Sequence, residues 1–175
     1  MTEQLVHSLL LALHNLAAAG CAAAPFYNRA LVVKRGQYGP KLHYELDKVV
    51  EDTLQGNAPY CIAFIGVLVA TGVAIPLNYL LFHGALRPLH AVALVALVVK
   101  LLLILALIAI MVVIFFRINP RLRDLFARFA PGQAPEAAQE QEFFALRARR
   151  RLLCERCLVL AAGVLVASAF LAFGT

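Results

Sequence analysis

LHAVALVALVVKLLLILALIAIMVVIFF, residues 89–116, decides the fold. Apart from His90 and Lys100, every side chain in it is apolar. The run is longer than the roughly 20 residues with which a helix crosses a bilayer, so it predicts a transmembrane helix that tilts or protrudes. Working outward, three more apolar runs stand at residues 5–26, 58–82 and 154–173. The reading is all-α: one integral membrane four-helix bundle over residues 1–175, with two cytoplasmic loop segments.

The composition agrees. The chain is 62% hydrophobic and 15% charged, against about 45–50% and about 25% in an ordinary soluble domain. Its +6 net charge raises the possibility of a nucleic-acid partner, but the distribution argues against it. Five of the sixteen Lys and Arg fall between the first two runs and nine lie from Arg117 to Arg156, leaving Arg87 and Lys100. That is the positive-inside pattern, with basic segments gripping an anionic leaflet, so membrane lipid is the expected partner. No Lys or Arg precedes Arg29, which predicts a retained first helix that starts outside rather than a cleaved leader. The expectation is a multi-pass protein of the cell inner membrane with both termini periplasmic. With no Trp, Tyr and the stems of Lys and Arg must supply the interfacial belt.

Between the spans, Gly36, Gly39 and Pro40 predict a turn. Leu42, Leu46, Val49, Val50 and Leu54 then recur at near-helical spacing, as in a helix at the interface or one extending the second span. Pro76 should bend the second span near Asn78. HGALRPLH, residues 83–90, reads as a tight link between antiparallel neighbours. APEAAQEQE, residues 134–142, has the composition of a flexible loop. Cys154 and Cys157, in CERC, have CxxC spacing, but no strand precedes them and no second CxxC supplies further zinc ligands. The four cysteines therefore read as structural.

Ionisable groups inside a span are costly and are functional-site hypotheses by default. His14 lies about 14 Å below Leu5, and Lys100 about 15 Å below His90, at 1.5 Å per residue. Both distances start from the outer surface, so the two share a mid-membrane layer, while His7, His83 and His90 form an outer one. His7 and His14 are seven apart, on one helix face, where neutral imidazoles suit a metal or a heme iron. Apart from Glu155 at the cytoplasmic end of the last span, no span holds an acidic side chain to pair with Lys100, so Lys100 is either neutral or takes its counter-charge from a bound anion or a partner subunit. Ala17, Ala18, Gly20, Cys21 and Ala24 offer a small-residue surface on which a helix or a flat ligand can pack. Arg29 stands at the cytoplasmic end of the first span, placed to hold a propionate or a quinone head group.

His14, the following AAAG to Gly20, PFYNR with Pro25 and Arg29, and LHAVALVALVVK with His90 and Lys100 together resemble a group of small membrane proteins. That group includes the HemJ-type protoporphyrinogen oxidases and the CopD-type copper-resistance membrane domains. The chain differs from their pattern in having no tryptophan after the first histidine and in the three residues between Pro25 and Arg29. The resemblance implies a b-type heme, with His14 and Lys100 as the residues required for activity and His14 as the metal ligand. His7, Arg29 and His90 complete the expected cofactor-binding set. It implies a heme-associated membrane redox protein, oxidising a porphyrinogen or passing electrons to quinone. Two further readings stand beside it. One is a non-catalytic accessory subunit, associated with a membrane partner or with a second copy of itself. The other is a CopD-like metal transporter, disfavoured by few methionines and by no cysteine ligands expected to pair at one depth.

Overall fold

The computed structural model describes residues 2–39, 41–86, 88, 90–129 and 135–171. Six α-helices account for nearly all of them: α1 (Thr2–Gly36), α2 (Tyr44–Gly56), α3 (Ala58–His83), α4 (Ala91–Val113), α5 (Asn119–Phe126) and α6 (Ala137–Leu171). Among the described residues there is no strand. In space these form four long rods, because α2 runs into α3 and α4 runs into α5. Each rod is long and apolar enough to cross a membrane.

Two helices outrun the spans read from hydropathy. α1 does not stop near Pro25 but continues to Gly36, since proline removes one backbone hydrogen bond and kinks a helix without having to end it. α6 begins at Ala137, so most of the Ala/Gln/Glu stretch expected to be a loop is its first turns. Ala, Gln and Glu are strong helix formers, and the adjoining Phe143 face is completely buried. Residues 130–134 lie outside the described residues.

Between α4 and α5 the backbone widens into a π-helical turn, Ile114–Ile118, and Pro120 follows. Pro120 lacks the N–H that would continue the ladder, and the wide turn takes up the displaced backbone. From the end of this turn onward, Ile118, Leu122 and Leu125 face inward.

The three main packed sides are α1 on α3, α1 on α6 and α4 on α6. α3 and α4 do not form such a pair. The short link after His83 therefore joins helices at the open side of the bundle, not close-packed antiparallel neighbours. Where α1 meets α3, a Cβ on Gly20 would stand 2.7 Å from the Phe64 ring. The small-residue face of α1 is thus occupied by Phe64 at that level.

The end of α1, α2, α5 and the start of α6 gather at one end of the bundle as a packed cap. Its core is Ile118, Leu122, Leu125, Phe129 and Phe143, flanked by Tyr44, Phe126 and Phe144. Phe143 meets Phe129 edge-on at 5.5 Å, and Tyr44 stacks on Phe126 at 5.3 Å. The buried face of α2 is Asp47, Val50, Glu51 and Leu54, while Val49 is exposed. The helix thus turns two carboxylates inward, which an apolar-face reading of residues 42–54 did not anticipate.

Those carboxylates meet arginines. Arg35 donates to both oxygens of Asp47 at 2.6 and 2.8 Å, and also to the carbonyls of Gly39 and Lys41. The Gly39 backbone has φ +86°, a conformation glycine adopts without strain. Arg147 reaches Asp47 at 2.5 Å and Glu51 at 3.0 Å. Arg150 clasps both oxygens of Glu51 at 2.8 and 2.7 Å. Three arginines surround two carboxylates, so the cluster carries one net positive charge. Burial pushes the Asp47 carboxyl up, but hydrogen bonds from Arg35 and the His43 N–H, with the charge and hydrogen bond of Arg147, hold it below its ordinary value.

Candidate functional site

Mid-helix on α1, His14 contacts α3 through a hydrogen bond between its Nδ1 and the Thr71 Oγ1, 2.8 Å apart. The Thr71 oxygen is also 2.7 Å from the Val67 carbonyl, which can only accept. A hydroxyl has one proton, so both contacts are satisfied when Thr71 donates to Val67 and accepts from Nδ1–H. That assignment leaves the lone pair on Nε2. Gly72 lies beside the ring, where a Cβ would be 3.7 Å from His14 Cε1. The expected residue is therefore oriented by a neighbour, Thr71, that no sequence motif marked.

Lys100 on α4 stands close enough to act electrostatically on His14. Among the described residues Lys100 makes no hydrogen bond or ion pair. The nearby polar group is an imidazole, which gives the ammonium no negative charge.

The outer histidines do not join this pair. His83 is exposed and bonds Glu3 at 2.9 Å, tying the start of α1 to the end of α3. His7 is exposed despite sharing a helix face with His14, and His90 is exposed at the start of α4. These two belong to the cofactor-binding set expected from sequence, and the structure places neither beside His14.

Arg29 lies elsewhere, at the rim of a cavity of about 80 Å³ enclosed by α1, α3, α4 and α6 on the side toward the cap. Leu107, Met111 and Ile65 line its apolar part, and Asn28, Asn57, Asn119 and Arg150 its polar part. All four cysteines, Cys21, Cys61, Cys154 and Cys157, also line it. The sequence reading expected no cysteines to pair at one depth. Helix packing brings together thiols from three helices that are far apart in the chain, which linear spacing cannot reveal.

The donor set at His14 suits a heme iron on one side, because a metal-bound histidine usually gives its other N–H to a neighbour. The space is less accommodating. Neither described cavity reaches His14 or Lys100, and Phe64 fills the Gly20 level. Among the described residues no three of His, Cys, Asp and Glu stand together as a metal site. The chain matches no family model, and neither a curated protein nor a solved structure matches it.

Proposed function

We propose that this protein is a heme-associated redox protein of the cell inner membrane, with His14 as iron ligand and Lys100 as counter-charge to an anionic group of the cofactor or substrate. The observation that carries the reading is the His14–Thr71–Val67 relay, which leaves Nε2 free in the layer of an uncompensated lysine. A bound b-type heme supplies one-electron exchange, and the protein contributes binding, orientation and electrostatic tuning. Thr71 holds the ring and its tautomer. Lys100 attracts a carboxylate where water cannot screen the charge. Arg29, at the polar rim of the cavity, suits the acceptor head of a quinone. The orientation in this reading has both termini periplasmic, supported by the basic residues concentrated toward the end of the bundle that carries the cap.

A second reading is an accessory subunit, favoured by Lys100 having no carboxylate partner among the described residues. In it, a carboxylate on a membrane partner or a second copy pairs with Lys100 across the open α3/α4 side.

An oxidised-minus-reduced visible spectrum of the purified, gently solubilised protein, with pyridine hemochrome quantification, tests the proposal. A stoichiometric b-type signal that disappears in His14→Ala is expected. Folded, monodisperse protein without that signal refutes the heme reading and leaves the accessory reading, whose partner should then dissociate in Lys100→Met.

A further inference from the structure

The cysteine-lined cavity is separate from the His14 layer, and of its lining only Arg29 enters the heme reading. Cys61 and Cys157 are buried, at 6% and 2% exposure, and come from α3 and α6. Cys61 stands within electrostatic range of the other three thiols. Met111 adds a thioether from α4, and one of only two methionines in the chain thus lines the same space as all four cysteines. The rest of the lining is mostly apolar, and its one carboxylate, Glu155, is held by Arg151. Thiolate and thioether sulfurs select soft metal ions.

We propose that this cavity is a binding site for a soft monovalent metal ion, Cu(I) in chemical class, held by Cys61 and Cys157 with Met111 beside them. The low coordination number matters. No three described ligand side chains are gathered tightly enough for a tetrahedral ion, whereas a closed-shell monovalent ion needs only two thiolates. Binding replaces two S–H protons with two metal–sulfur bonds, releases both protons to solvent and changes no oxidation state. The resulting bis-thiolate complex carries one negative charge. Arg150 and Arg151 line the same cavity, and Arg150 lies within electrostatic range of Cys154. Both are already engaged by carboxylates, Arg150 by Glu51 and Arg151 by Glu155, so they do not bar a cation from the thiols. The volume of about 80 Å³ suits an ion better than an organic cofactor, since drug-sized ligands occupy about 300–1,000 Å³.

Silver(I), a redox-inert probe, tests the site on the full-length protein in detergent, in competition with a chromophoric chelator. The expected result is one ion per chain with release of two protons, and affinity weakened by about tenfold or more in Cys61→Ala and in Cys157→Ala. His14→Ala should bind silver as the wild type does. Should either cysteine variant fold poorly, the wild type supplies the readout: X-ray absorption at the silver edge should show silver bound by sulfur alone. Nitrogen or oxygen bound to the silver, or unchanged affinity in both folded cysteine variants, would overturn the proposal.

Discussion

Asp47→Asn is the sharpest test of how the cap is held. Asp47 is fully buried and accepts from Arg35 at 2.6 and 2.8 Å, Arg147 at 2.5 Å and the His43 N–H at 2.9 Å. Asparagine keeps the shape but presents an NH₂ group where one oxygen accepted, setting donor against donor. Arg35 retains the Gly39 and Lys41 carbonyls, but Arg147 retains only Glu51, which Arg150 already engages. Breaking a buried ion pair from one side costs about 3–5 kcal/mol. For a chain of this size that is a fall in unfolding midpoint of roughly 6–20 °C, at about 2–4 °C per kcal/mol. The exposed Arg151–Glu155 pair, at 3.1 Å and i,i+4, is the internal control, because such pairs contribute only about 0.3–0.5 kcal/mol. Thermal unfolding in mild detergent, followed by helical circular dichroism, compares Asp47→Asn with Glu155→Gln. Equal midpoints in the two variants would refute the claim that the buried network organises the cap.

Acid should destabilise the cap, because Asp47 is held below its ordinary value when folded. Its contribution is complete above the unfolded carboxylate pKa of about 3.9 and is lost as pH falls through the folded value. The unfolding midpoint should therefore drop below about pH 4, with a shallower slope in Asp47→Asn. Gly20→Ala should overpack the α1–α3 contact, costing about 1–3 kcal/mol, and Phe64→Ala in the same chain should recover part of the loss in the same unfolding assay. Thr71→Val removes the acceptor of the His14 Nδ1–H, and if heme is bound its affinity should fall about 10–100-fold in hemochrome titration while the helical spectrum is retained.

Composition and hydropathy alone led to four membrane-crossing helices, because apolar runs of this length have no other stable home than lipid. Residue counting also put His14 and Lys100 in one layer, since helix rise converts sequence distance into depth. The same arithmetic failed where pairing, rather than depth, was at stake. His7 shares a helix face with His14 yet stays exposed, and Asp47 and Glu51, outside the apolar stripe read in residues 42–54, are buried because Arg35, Arg147 and Arg150 meet them. Arg147 and Arg150 lie about a hundred residues along the chain from those carboxylates, so no local pattern announces the match. The cysteines teach the same lesson, because Cys21, Cys61 and the Cys154/Cys157 pair share a cavity only through the packing of α1, α3 and α6. Hydrophobic periodicity is a property of one helix and can be read from it. Which polar groups are neutralised, oriented or gathered depends on which helices touch, and only the tertiary structure decides that.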